Sequence, residues 1–195
     1  MKHSKKFKLG FLINPIAGIG GKTGLKGSDG LKTIRKAFSM GAKKESESRA
    51  EEATLQLKFL KDKFYLITCA GVMGQETFKR MGIIADKIID VNLKNTTRKD
   101  TLIAAKKMKE EKVDLILFCG GDGTASDIFF VINSEIPILG IPAGVKMHSS
   151  VFGNSPNAVG SIVSRLINSQ LKNFETSSGL IMDLDEDLRR IDKIK

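Results

Sequence analysis

Residues 114–124 read DLILFCGGDGT: an apolar run that stops in glycine, with one carboxylate set among three glycines. Leu115, Ile116, Leu117 and Phe118 are apolar at every position, not at every second one. A strand wet on one face alternates, so an unbroken run suits a strand covered on both faces, as in a parallel sheet. Gly120, Gly121 and Gly123 strip side chains from the backbone at the strand's end, which is room of the kind that admits phosphate. Asp122 is then the puzzle, because phosphate repels a carboxylate.

The same pattern recurs outward along the chain. Strands are expected over 8–14, 64–70, 87–91, 114–119 and 136–141, with amphipathic stretches between them. One helix is expected over 48–62, opening with Ser48 and Glu51, and another over 97–111, opening with the cap pair Thr97 and Asp100. A third starts near Ala125, and Ser155-Pro156 opens a fourth that runs to about 168. Strand and helix in regular alternation predict a doubly wound, mainly parallel, Rossmann-like α/β sheet with helices on both faces. A last β-like segment spans 174–185, and residues 43–52 are charged enough for a connection. Ligands of such sheets gather beyond the carboxyl ends of the strands.

Three glycine loops belong to that rim. The first, NPIAGIGGKTGLKGSDG from Asn14 to Gly30, follows the first strand; Asn14 and Pro15 stop the strand, and Gly18, Gly20 and Gly21 let a ligand approach the backbone amides, with Lys22 and Lys26 adding charge. The second is Gly120-Gly121-Asp122-Gly123-Thr124, feeding a helix whose N-terminus attracts anions. Asp122 there is a helix cap worth about 1 kcal/mol, a general base for an attacking hydroxyl, or an anchor for Mg²⁺ between phosphates. Asp127, one turn on, reads as a solvated acid before a metal ligand. The third loop, GIPAGVKMHSS from Gly140 to Ser150, offers Gly144, Lys146, His148 and Ser149 to a phosphate or ribose; Lys146 and His148 read equally as surface decoration.

Composition narrows the classes. The chain has 195 residues, 41% of them hydrophobic, enough for a core without disulfide or metal staples. Cys69 and Cys119 each end an apolar run, are too widely spaced for a zinc or redox motif, and read as buried thiols in a reducing, cytoplasmic setting. No apolar stretch reaches the roughly 18 residues that span a membrane. Lys and Arg number 32 against 22 acids, a net charge of +10 that favours anionic partners. The lysines are scattered and no aromatic-rich RNA motif accompanies them, so nucleic acid is an unfavoured partner.

The Gly-Gly-Asp-Gly-Thr loop at 120–124, the upstream Asn14-Pro15 loop and GIPAGVKMHS together resemble the NAD kinase, diacylglycerol kinase and 6-phosphofructokinase superfamily, and within it the ATP or polyphosphate-dependent NAD kinase group. The resemblance implies that Asp122 activates the 2′-hydroxyl of NAD for attack on the γ-phosphate of ATP, or on polyphosphate, to give NADP. It implies that Gly120, Gly121, Gly123 and Thr124 cradle phosphates, with Mg²⁺ bridging the donor and Asn14 beside Asp122. It further implies a nucleotide-binding domain over 1–172 and, over 173–195, the start of a β-rich second domain that is otherwise missing. Pro142 stands where typical NAD kinases carry the Asn of Gly-x-Asn-x-Gly, a departure that bears on acceptor recognition more than on phosphoryl transfer. The competing expectations are a non-catalytic nucleotide-binding half of a split enzyme and a lipid or small-molecule kinase with the same loop. A homo-oligomer, or a separate chain supplying the second domain, is the expected assembly.

Overall fold

Side chains of a strand point alternately to opposite faces, and in the central strands both sets are apolar. The computed structural model, which describes residues 6–19, 39, 45–92, 96–144, 147–169 and 176–182, shows where each set goes. Strands β1 (Phe7–Ile13), β2 (Phe64–Cys69), β3 (Lys87–Ile89), β4 (Leu115–Gly120) and β5 (Ile138–Pro142) form one sheet. Every pairing is parallel, in the order β3-β2-β1-β4-β5. The expected doubly wound α/β architecture is the observed one.

Helices α1 (Ser46–Thr54), α2 (Gln75–Arg80), α3 (Arg98–Glu110), α4 (Asp122–Ile132) and α5 (Pro156–Ser169) cover the sheet, with 3₁₀ turns at Leu55–Leu60 and Gly71–Met73. Leu9, Phe11 and Ile13 of β1, with Leu115, Leu117 and Cys119 of β4, pack with Ala50 and Ala53 of α1 and Val159 and Val163 of α5. Leu12, Ile116 and Phe118 turn the other way, to Ala104 and Met108 of α3 and Ala125 and Ile128 of α4. Each large apolar side chain so buried stabilises the fold by about 1.5–3 kcal/mol relative to exposure. That two-sided burial is why the strands are apolar at every position.

Local signals succeeded where they were complete. Thr97 and Asp100 form the capping box of α3, and the Ser155 hydroxyl accepts the Ala158 N–H at 3.2 Å ahead of Pro156, the first residue of α5. The start of α1 differs from expectation. Ser48 is exposed and donates back to the Glu45 carbonyl, while Ser46, Ala50 and Ala53 make the buried stripe, so packing starts the helix at Ser46. Helix α4 begins at Asp122 rather than near Ala125, because extended Gly121 delivers the chain straight into the first turn. The short α2 carried no cap signal in the sequence. Residues 176–182, expected to be β-like, form no strand; they run as a strap bonded to Ser149 and Ser150.

The chain moves outward from β1 to β2 and β3, then crosses back to place β4 on the other side of β1. This reversal opens a crevice beyond the strand ends between β1 and β4. The segments after those two strands are therefore the ones to inspect.

Candidate functional site

The strand ends are level with one another. Ile13 pairs with Cys119, and Gly120 with Pro142, so the segments leaving β1, β4 and β5 emerge at one rim as the sequence predicted. Backbone bonds tie them further: Asn14 N–H to the Cys119 carbonyl at 2.9 Å and Ala143 N–H to the Gly120 carbonyl at 3.0 Å. The Asn14 side chain is held at both ends, its amide donating to Thr124 Oγ at 3.0 Å and its carbonyl accepting the Ile16 N–H at 3.2 Å. Asn14 thus bridges the crevice to the first turn of α4 through Thr124, and Pro15 is buried behind it. Gly18 has φ +80°, and a Cβ there would lie 2.0 Å from the Ala143 carbonyl oxygen. Only glycine lets the first loop close against the third.

Of the residues singled out from sequence, Asn14, Pro15, Gly18, Gly120, Gly121, Asp122, Gly123, Thr124, Gly144, His148 and Ser149 follow the ends of β1, β4 and β5. Gly20, Gly21, Lys22, Lys26 and Lys146 lie outside the described residues.

Asp122 is the first residue of α4, directly after the N-cap Gly121, which has no side chain to cap the helix. The Asp122 carboxylate crosses to the third loop. Oδ1 accepts the Ser149 N–H at 2.8 Å and the Ser149 hydroxyl at 2.6 Å, and the His148 N–H is shared between Oδ1 at 3.2 Å and Oδ2 at 3.0 Å. Oδ1 is saturated by these donors, while Oδ2, with one shared partner, keeps acceptor capacity. The role of His148 here is played by its backbone; its side chain is exposed. Ser149, by contrast, is buried, with 6% of its surface exposed.

The glycines around Asp122 divide into two kinds. At Gly120 a Cβ would fall 2.6 Å from Thr124 side-chain atoms, so the chain's own packing demands glycine. At Gly121 and Gly123 a Cβ would meet nothing within 4 Å, and neither has positive φ. Glycine in a helix is about 1 kcal/mol less favourable than alanine, and neither packing nor conformation accounts for Gly123. Bare backbone at a helix N-terminus, open to solvent and free of a side-chain cap, is suited to an anion.

Asp127 is not the solvated acid expected from its position. Arg98 donates to it at 2.5 Å, and only 15% of its side chain is exposed. Among the described residues no group of three or more His, Cys, Asp and Glu stands ready to hold a metal. What Asp122 offers is a single carboxylate oxygen. Mg²⁺ at phosphate-transfer sites is commonly held by one or two carboxylates with phosphate oxygens and water, and Oδ2 fits that sparse requirement. Cys69 and Cys119 are free, and burial pushes both thiols up to about 12. Both are inert packing groups at neutral pH. No helix among the described residues is long and apolar enough to cross a membrane.

Three features of the rim escaped the sequence reading. Arg49 of α1 donates to the Pro142 carbonyl at 3.1 Å, which brings a cation to the end of β5. Ser46 is fully buried beside Cys119 Sγ, which donates to its carbonyl at 3.2 Å, and its hydroxyl has no partner among the described residues. The strap 176–182 reaches Ser149 and Ser150. Nothing in the local sequence of α1 or the strap marks them, because each arrives by tertiary packing.

A protein-family model described as the ATP-NAD kinase N-terminal domain matches residues 9–171. No curated protein shows significant similarity to the chain. The matched span runs from β1 through the end of α5 and contains the three loops, and on this match the chain belongs to the ATP-NAD kinase family.

Proposed function

We propose that this member of the ATP-NAD kinase family transfers the γ-phosphate of ATP, or a phosphate of polyphosphate, to the 2′-hydroxyl of NAD, with Asp122 as the general base. Family membership supports kinase-like chemistry. The observation that carries the residue assignment is the open glycine backbone on both sides of a carboxylate that ignores its own helix. Phosphates of the donor lie on the amides of Gly121, Gly123 and Thr124, where the N-terminus of α4 favours negative charge. Gly18, Gly20, Gly21, Gly144 and Lys146 line the donor from the first and third loops, and Asn14 holds Thr124 in place.

Oδ2 of Asp122 takes the proton of the acceptor hydroxyl. The hydroxyl oxygen bonds to the γ-phosphorus as the bond to the β-phosphate oxygen breaks. Base assistance of this kind supplies about 10²- to 10⁴-fold in rate, and positioning with charge neutralisation supplies most of the remainder. A Mg²⁺ held by the donor's phosphate oxygens and water would supply that neutralisation when bound, with Oδ2 of Asp122 left to the acceptor hydroxyl. Residues 1–172 act as the donor-side domain, and residues from 173 onward lead to a β-rich acceptor side, in this chain or a partner chain.

The test is NADP formation from NAD with Mg-ATP or polyphosphate. Wild-type turnover lost in Asp122→Asn is the expected result; a folded chain that makes no NADP, and behaves identically as the Asn variant, overturns the proposal. One observation favours a second reading, a nucleotide-binding half without turnover: the carboxylate already takes three donors from the third loop. Calorimetry that finds Mg-ATP binding without phosphate transfer selects it.

A further inference from the structure

The hydroxyl of Ser149 has one proton and two acceptors in reach, Asp122 Oδ1 at 2.6 Å and the Met182 carbonyl at 3.4 Å. The shorter, charge-assisted contact takes the proton. The oxygen is then left to accept, and the Met182 N–H donates to it at 3.1 Å. Met182 N–H, Ser149 O–H and the Asp122 carboxylate therefore form a chain in which each bond polarises the next.

Ser150 repeats the attachment one residue on. Its N–H donates to the Leu180 carbonyl at 2.8 Å, and its hydroxyl accepts the Leu180 N–H at 3.2 Å. Two consecutive serines thus hold the strap 176–182 against the third loop. The strap also lines an open groove of about 580 Å³, which it shares with Phe129, Ile132, Ile138 and Val151, so part of its length is not packed tightly on the core.

We infer that Ser149 is a positioning residue that couples the seating of the strap 176–182 to the orientation of the Asp122 carboxylate. This rests on the reading of Asp122 as the base. A seated strap polarises the Ser149 hydroxyl towards Oδ1 and leaves Oδ2 for the acceptor hydroxyl; a lifted strap removes the Met182 donor from Ser149 and weakens that one bond among the three donors that hold the carboxylate. Any contact that holds residues 176–182 down, from an acceptor or from an acceptor-side domain, orients the base through Ser149.

The experiment uses the full chain, with NADP formation from NAD and Mg-ATP and with amide hydrogen exchange at Leu180 and Met182. Ser149→Ala is expected to lower kcat about tenfold or more, the loss of a bond to a charged group, while the KM for Mg-ATP stays within about twofold. Exchange at Leu180 and Met182 rises about tenfold, and Ser149→Thr restores both readouts. Wild-type kcat and exchange in Ser149→Ala overturn the inference. So does a variant in which kcat falls and KM rises together with no recovery in Ser149→Thr, since that is general loosening. If the wild-type chain transfers no phosphate, the base assignment fails separately, and Asp122→Ala decides the coupling: faster exchange at Leu180 and Met182 upholds it, unchanged exchange overturns it.

Discussion

Asp100 and Asp122 lie in the first turns of consecutive helices on the same face of the sheet, and their carboxylates serve opposite ends. Asp100, 5% exposed, accepts the Asn92 N–H at 2.9 Å, the Thr97 N–H at 2.8 Å and the Thr97 hydroxyl at 2.9 Å. Burial pushes its carboxyl up, but these bonds outweigh burial and hold it below the ordinary carboxylate value. Every one of those partners is within eight residues, so Asp100 completes the start of its own helix. The partners of Asp122 are 26 and 27 residues away, and α4 receives no side-chain cap. A carboxylate that closes a local cap is structural. Asp122, one place after a glycine N-cap, clasps a distant loop instead, and the N-terminus of α4 is left to bare backbone.

Exchanging each aspartate for asparagine is the strongest way to break this comparison. Asp122→Asn is expected to reduce phosphate transfer about 10²- to 10⁴-fold, read as NADP formed per enzyme. Asp100→Asn should leave that rate within about twofold. Equal losses from both would mean that Asp122, like Asp100, acts only through the fold.

Next in size is the contact between the first and third loops. Gly18→Ala forces a side chain into φ +80° and onto the Ala143 carbonyl, at a cost of about 2 kcal/mol or more. Urea denaturation measures it. A melt unchanged by this substitution would show that the two loops do not need their close approach.

Asp100→Asn comes third, at about 1 kcal/mol for a lost cap. The sign of its pH dependence follows from the lowered carboxyl. The folded group titrates below the unfolded one, so its contribution is whole above the unfolded value of about 4 and is lost as pH falls through the folded value. The stability gap between wild type and variant, widest at pH 7 in urea titrations, should close below about pH 4.

These two aspartates also mark the limit of what local sequence carries. Thr97-x-x-Asp100 announces its helix because donor and acceptor are neighbours in the chain. Leu115 to Phe118 announces a strand covered on both faces because period-2 geometry leaves no other place for an unbroken apolar run. The glycines of 120–124 placed Asp122 at the rim, but its clasp on Ser149 depends on where β5 delivers the third loop, and residue spacing does not encode that. Arg49 and the buried hydroxyl of Ser46 were missed for the same reason: α1 reaches the ends of β4 and β5 by packing alone. Even the failure at Ser48 is instructive, since a good cap residue yielded to the burial of Ser46, Ala50 and Ala53.

The smallest expected change in stability is the most discriminating about purpose. A Cβ at Gly123 or Gly121 meets nothing within 4 Å, and Gly121 has φ −115°, which any residue adopts. Gly123→Ala should therefore keep the unfolding free energy or raise it, by up to about 1 kcal/mol for alanine over glycine in a helix. Gly120→Ala, aimed at Thr124, should lower it. If the empty space exists for phosphate, Gly123→Ala weakens Mg-ATP binding by about tenfold in calorimetry even as the fold is steadied, since a methyl then holds phosphate off the first amides of α4. A variant that gains stability and keeps its affinity for Mg-ATP would remove the glycines from the site, leaving Asp122 to be explained by its clasp on Ser149 alone.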